Sequence, residues 1–204
     1  MAQVKICGLS TPETMQAALD HGADFVGLVF YPKSPRNVSL AQAKVLSDQA
    51  RGIAKIVALV VDADDALLHA IQIEVKPDFI QAHGSETPER IAEMQSPIIK
   101  AIKVENAEDV SSAQKFKSAA LILYDAKAAK HELPGGNGLS FDWTLLKNVS
   151  YQFMLAGGLN PQNVAKAIQL TKAPIVDVSS GVESSSGVKD IDLIAKFIKA
   201  AKEA

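Results

Sequence analysis

The sequence predicts an α/β fold, a closed (β/α)8 or TIM barrel forming a single domain over residues 1–204, and three observations carry that reading. Eight short apolar runs alternate with helical patterns along the 204 residues. A parallel sheet rolled up on itself accommodates such an alternation. The connections between the elements are short, which leaves no room for a second domain. No proline- or serine-rich linker interrupts the series. An open doubly wound sheet shares the alternation and stays as the competing architecture.

Taken in order, Val4-Lys5-Ile6-Cys7-Gly8 is a β-branched and apolar run closed by glycine, a strand that hands its last residue to a loop. Thr11-Pro12-Glu13 then supplies an N-cap, a proline in the first turn and an early carboxylate for a helix reaching His21-Gly22. Asp24 to Phe30 reads as a strand buried on both faces. Tyr31 to Asn37 is a loop stiffened by two prolines, after which Ser39 caps a helix to about Ala50. Lys55 to Val61 is the third strand, and Asp64 opens a helix ending near Val75. Pro77 to Gly84 is the fourth strand and its loop, and Thr87-Pro88-Glu89 repeats the earlier cap. Pro97 to Val104 and Ala107 to Phe116 make the fifth pair, and Ala119 to Asp125 is strand six. The loop Pro134-Gly135-Gly136-Asn137-Gly138 leads to a short helix start at Phe141-Asp142-Trp143. Tyr151 to Ala156 is strand seven, with Asn160 and Pro161 opening the next helix. Ala173 to Val178 is strand eight, Ser179 to Gly187 is a small-residue loop, and Ile191 to Ala201 is the final amphipathic helix.

Bulk properties narrow the partners. With 48% apolar and 22% charged residues the chain is globular in composition. Twenty-one basic against 23 acidic side chains, a net charge of -2, give no global attraction for nucleic acid or an anionic membrane. Any anion has to be held locally. A single cysteine makes neither an internal disulfide nor a thiolate metal site, and it suits a reducing compartment. No apolar run approaches the ~20 residues of a membrane span, and the start lacks a signal-peptide core. The expectation is a cytoplasmic protein with a small-molecule substrate and no nucleic-acid or membrane partner. Monomer and homo-oligomer are both compatible with the pattern, because a core face and a docking face carry the same apolar spacing.

Chemistry in parallel α/β folds sits at the carboxyl ends of the strands. Cys7 ends strand one and Asp125 ends strand six, three strands apart around a ring of eight, so they face each other across the mouth. Gly157-Gly158 and Ser179-Ser180-Gly181 follow strands seven and eight, where barrels hold phosphate with backbone N–H groups. Gly136 and Gly138, in the loop after strand six, are candidates for the same anion or for a lid. Arg36, at the rim, can take a carboxylate in a forked pair. Lys33, one proline further out, is the weaker candidate. Lys5 shares the inward parity of Cys7 and as a buried ammonium needs a partner, for which Asp177 on the neighbouring strand eight is the candidate. Gln81 and His83 share a face, with His83 either lining the pocket or serving as a structural histidine. The four histidines, His21, His69, His83 and His131, lie too far apart for a metal site, and no glycine-rich nucleotide loop follows a strand.

Together Lys5-Ile6-Cys7-Gly8, Ser34-Pro35-Arg36, Gln81-Ala82-His83-Gly84, Asp125 with Gly135-Gly136-Asn137-Gly138, Leu155-Ala156-Gly157-Gly158-Leu159 and Asp177 to Glu183 resemble the phosphoribosylanthranilate isomerase family of tryptophan biosynthesis. The matches run in order over essentially the whole chain. The resemblance implies an Amadori rearrangement of N-(5-phosphoribosyl)anthranilate to 1-(2-carboxyphenylamino)-1-deoxyribulose 5-phosphate, with no metal and no cofactor. It implies Asp125 as general acid, Cys7 as general base, Arg36 on the anthranilate carboxylate and the late loops on the phosphate. His83 and Asp177 are expected to line the substrate site. Two positions depart from the family pattern: Ala82, where leucine is common, and Asn137, where a hydroxyl residue is common. Ala82 should face away from the mouth. Indole-glycerol-phosphate synthase and ribulose-phosphate epimerase are rival barrels, but their lysine–glutamate set and paired metal ligands are not apparent here. A non-catalytic barrel sensing a phosphorylated ligand is a rival of another class, and it requires Cys7→Ala to leave the biological role intact.

Overall fold

A computed structural model describes residues 1–127, 135–136 and 138–204. The expectations attached to His131, Pro134 and Asn137 lie outside the described residues. Eight parallel strands, β1 (Gln3–Cys7), β2 (Phe25–Phe30), β3 (Lys55–Val60), β4 (Phe79–Ala82), β5 (Ile98–Val104), β6 (Leu121–Ala126), β7 (Phe153–Leu155) and β8 (Ile175–Val178), close into a barrel in sequence order. The ring is completed where β1 pairs with β8, Lys5 standing opposite Asp177. That closure decides between the two architectures compatible with the alternation.

The strands are nearly continuous apolar runs because both of their faces are covered. Phe25, Val57, Ile99, Leu123, Met154 and Ile175 fill the barrel interior. Their neighbours in sequence, such as Val26, Ile56, Ile98 and Ile122, point outward and pack beneath the helices. Ala82 belongs to this outer layer and is fully buried, facing away from the mouth as its parity requires.

The helices are α1 (Pro12–Asp20), α2 (Leu40–Ala50), α3 (Asp65–Glu74), α4 (Pro88–Glu93), α5 (Ala107–Ser112), α6 (Val164–Thr171) and α7 (Ile191–Lys202). The side chains of Thr11, Ser39, Asp64 and Thr87 cap the first four, each accepting from the amide three residues on. None of the helices among the described residues is long and apolar enough to cross a membrane.

Three segments differ from the sequence expectation. Between β6 and β7 the described residues form only a 3-10 turn, Trp143–Leu146. Helix α6 starts at Val164 and not at Pro161, the backbone of Asn163 departing from helical values at φ -117°; before it Asn160 Oδ1 accepts from the amides of Gln162 and Asn163 while Asn163 Oδ1 accepts from Asn160 N. Asn160 thus caps this turn as Asn106 caps α5, and the helix proper follows it. After β8 the expected loop is instead a 3-10 turn, Ser180–Val182, and a hairpin of β9 (Glu183–Ser185) with β10 (Val188–Lys189). Ser186-Gly187 makes its two-residue connection, Gly187 at φ +82°. A Cβ on Gly187 would stand 2.9 Å from the carbonyl oxygen of Pro35, so the hairpin presses directly on the loop that carries Arg36.

Candidate active site

Inward parity brings Lys5 and Cys7 of β1, Gln81 of β4, Asp125 of β6 and Asp177 of β8 to one end of the barrel. Above them opens a cleft of about 810 Å³ of empty space, its mouth included. Cys7, Arg36, His83, Asp125 and Asp177 line it on one side of the ring or the other. Gly136, Gly138, Gly157, Gly158, Ser179 and Ser180 line its rim. Gly181 does not line it: a side chain there would run into the carbonyl of Leu159, so its smallness serves the contact between the β7 and β8 loops.

On one wall, Asp125 is buried and its Oδ1 accepts from the Ala126 amide at 2.8 Å. That leaves Oδ2 toward the cleft, 3.2 Å from His83 Nε2. The approach is out of line for a hydrogen bond, and His83 Nε2 has no aligned partner among the described residues. At the other ring nitrogen Gln81 Nε2 lies 2.8 Å from Nδ1. With the amide donating there, a neutral ring keeps its proton on Nε2, facing Asp125 and the cleft. Gly135 closes over this pair, since a Cβ on it would lie 2.9 Å from both Asp125 Oδ2 and His83 Nε2.

On the opposite side, Cys7 is 4% exposed at the end of β1. Gly27, its register partner on β2, makes room for it: a Cβ at Gly27 would stand 3.0 Å from the sulfur. Beneath Cys7, Lys5 donates to Asp177 Oδ1 at 2.9 Å with no exposed surface at all. Burial alone would lower the Lys5 ammonium, but Asp177 and the neighbouring Cys7 outweigh it and hold it above its ordinary value. Burial pushes the Cys7 thiol up, Lys5 and Lys189 pull it down, Asp177 adds to the rise, and the net direction is upward.

Arg36 is buried too, and its fork is already filled. Nε and Nη2 donate to Glu183 Oε1 and Oε2 at 2.6 and 2.7 Å, and Nη2 also reaches Gly136 O at 3.2 Å. The expectation of a forked pair with a substrate carboxylate is therefore narrowed to Nη1. Burial would raise the Glu183 carboxyl, but hydrogen bonds from Arg36 and Lys189 outweigh it and keep it below the usual carboxylate range.

The late loops form an amide-rich corner. Gly157 and Gly158 both take positive φ, +87° and +68°. Asn163 Nδ2 holds the Gly158 carbonyl at 2.8 Å, while the amides of these two glycines have no acceptor among the described residues. Unspent N–H groups in a concave turn suit an anion. Ser179 lines this corner, but its hydroxyl donates to Cys7 O at 3.1 Å and accepts from Lys189 Nζ at 3.2 Å, so its side chain is committed elsewhere.

Sequence reasoning missed three residues that this geometry brings in. Glu183 and Lys189 come from the hairpin, whose only local signal is the Ser186-Gly187 turn dipeptide. Gly27 was legible as a glycine inside a strand, a mark of close approach.

With the geometry in place, comparison with known proteins gives one consistent result. Residues 4–200 match the family model described as N-(5'-phosphoribosyl)anthranilate (PRA) isomerase. A Rhodopseudomonas palustris N-(5'-phosphoribosyl)anthranilate isomerase is 50% identical over 207 residues, covering 98% of this chain and 95% of the relative. The crystal structure of phosphoribosylanthranilate isomerase from Thermotoga maritima superposes with a TM-score of 0.91 at 35% identity over the full length of both chains. A crystal structure of a phosphoribosylanthranilate isomerase in complex with reduced 1-(o-carboxyphenylamino)-1-deoxyribulose 5-phosphate superposes with a TM-score of 0.88 at 34% identity, again over both full chains.

Proposed function

The chain belongs to the N-(5'-phosphoribosyl)anthranilate isomerase family, isomerases of tryptophan biosynthesis, and we propose that residues 1–204 form one catalytic domain in which Asp125 is the general acid and Cys7 the general base of an Amadori rearrangement. The substrate is N-(5'-phosphoribosyl)anthranilate. Asp125 gives a proton to the ribose ring oxygen, the bond from that oxygen to C1 breaks, and the nitrogen lone pair forms a C1=N Schiff base. Cys7, as thiolate, takes the C2 proton; the C2–H electrons become a C1=C2 bond and the C=N pair returns to nitrogen. The resulting enolamine loses its O–H proton and gains one at C1, giving the ketone. C1 is reduced and C2 oxidised within one molecule, so the chemistry asks only for an acid and a base.

The observation that carries this reading is the placement of Cys7 and Asp125 on opposite walls of one cleft, each with its remaining atoms tied to the strand that bears it. The amide corner of Gly157 and Gly158 takes the phosphate, with backbone groups of Ser179 and Ser180, and Arg36 Nη1 faces the anthranilate carboxylate. His83 Nε2 and Asp177 complete the walls around the sugar. Gly136 and Gly138 close the cleft from above and are positioned to take part in holding the phosphate.

The test is conversion of freshly made phosphoribosylanthranilate, followed by loss of its fluorescence. Cys7→Ala and Asp125→Asn should each lose about 10²–10⁴-fold in turnover while binding is largely kept. Near wild-type rates in both variants would refute the assignment of acid and base.

A further inference from the structure

Lys189 lies outside the cleft lining, yet it is the most deeply enclosed charge of the hairpin, its side chain 1% exposed. Its ammonium donates to Ser179 O at 2.9 Å, Ser179 Oγ at 3.2 Å and Glu183 Oε1 at 2.7 Å. Three acceptors at hydrogen-bond distance match the three donors of a protonated amine. Ser179 in turn donates its hydroxyl to Cys7 O at 3.1 Å. One short path therefore runs from the hairpin cation to the backbone of the proposed base. The path also branches, because Glu183 is shared with Arg36.

A surface lysine that only pinned the hairpin would be satisfied by Glu183 alone. Here it is sunk beside the carboxyl end of β1, where the mechanism needs a thiolate and where burial works against one. We propose that Lys189 is a positioning residue for Cys7: through Ser179 it fixes the end of β1, and its positive charge favours the thiolate. This deepens the reading of Cys7 as the base and rests on it. The charged groups facing the sulfur are Lys5 from β1, Asp177 from β8 and Lys189 from β10, with Glu183 and Arg36 one contact further and Asp125 across the cleft. Of the two cations that face the sulfur directly, Lys5 and Lys189, Lys189 is the one supplied from outside the barrel strands. Its charge works in the stabilising direction for thiolate, while burial holds its own ammonium below the ordinary 10.5 despite Glu183.

Cys7 is the only cysteine, so alkylation by iodoacetamide reads its ionisation directly. Lys189→Gln keeps a donor toward Ser179 and removes the charge, Lys189→Arg keeps the charge, and Lys189→Met removes both. In Lys189→Gln and Lys189→Met the pH midpoint of alkylation should rise by about one unit. Turnover should fall in step while KM for phosphoribosylanthranilate stays within about threefold. Lys189→Arg should stay close to wild type. Unchanged midpoints in the Gln and Met variants overturn the proposal, as does an equal rise in Lys189→Arg, which would mean packing and not charge. Should Lys189→Met fail to fold, Lys189→Gln against Lys189→Arg carries the same comparison. Full turnover by Cys7→Ala would fail the base reading alone, because the alkylation midpoint does not depend on it.

Discussion

Lys5 Nζ sits 2.9 Å from Asp177 Oδ1 across the seam where the first and last strands of the barrel meet. The seam is thus closed by an ion pair in the barrel interior as well as by its backbone ladder. Removing either partner leaves the other buried and uncompensated. Lys5→Met or Asp177→Leu alone should cost about 3–5 kcal/mol in urea unfolding, and the double replacement should recover much of that loss. Additive single effects would show that the two groups do not depend on each other. Lys5 is held above its ordinary value of 10.5, so its contribution is complete below that pH and fades as pH rises through the raised native value.

The Cys7 thiol, raised above 9.0 chiefly by burial, is the protonated form at neutral pH. A base must be deprotonated, and the thiolate fraction grows with pH. Measured in Asp125→Asn, where ionisation of the proposed acid no longer enters, the single-turnover rate should therefore climb about tenfold per pH unit from neutrality into the alkaline range, until the thiol titrates. Single turnover removes product release from the measurement. A flat profile over that range in Asp125→Asn would exclude Cys7 as the proton acceptor.

A second buried pair lies in the outer layer. Lys100 of β5 donates to Glu86 Oε2 at 2.7 Å and to Gly84 O at 2.9 Å, while Glu86 Oε1 accepts from the amides of Asp62 and Gly84 at 2.9 and 3.0 Å. Lys100→Met should destabilise the fold by about 3–5 kcal/mol with little change in turnover, as read by thermal unfolding beside the fluorescence assay. Burial would raise Glu86, yet Lys100 outweighs it and the carboxyl lies below 4.5. The stability it contributes is present above pH 4.5 and is lost as pH falls through the lowered native value. Wild type should lose more stability than Glu86→Gln on acidification through that window.

Gly136 takes φ +75°, and a Cβ on it would stand 2.6 Å from Arg36 Nη1, the donor proposed for the substrate carboxylate. Gly136→Ala adds strain of about 1–3 kcal/mol and crowds that atom. KM should rise, and the melting temperature should fall by about 2–4 °C for each kcal/mol of that strain. An unchanged KM would separate this glycine from the carboxylate site.

What the sequence made legible follows from how local each signal is. Strand order and helix caps were readable because an apolar run, or a Thr-Pro-Glu triplet, carries its own instruction within a few residues. Parity within β1 and the adjacency of β8 in a closed ring were enough to anticipate the Lys5 and Asp177 pairing. The Arg36, Glu183 and Lys189 cluster was not legible, because it joins residues 147 apart in sequence through a hairpin that looked like a loop of small residues. Nor could sequence indicate that the Arg36 fork is occupied by its own chain. Asn160 does cap as its type suggests, and the late start of α6 lies in the backbone of Asn163, at φ -117°, which no residue type announces.

Gly27 takes part in no proton transfer, yet its hydrogen-only side chain is what leaves the sulfur a place to stand. Strand two is thereby a hidden point of failure. Even alanine there would force the sulfur or its strand to give way by a few tenths of an ångström, a disturbance that an inventory of chemically active groups would never flag.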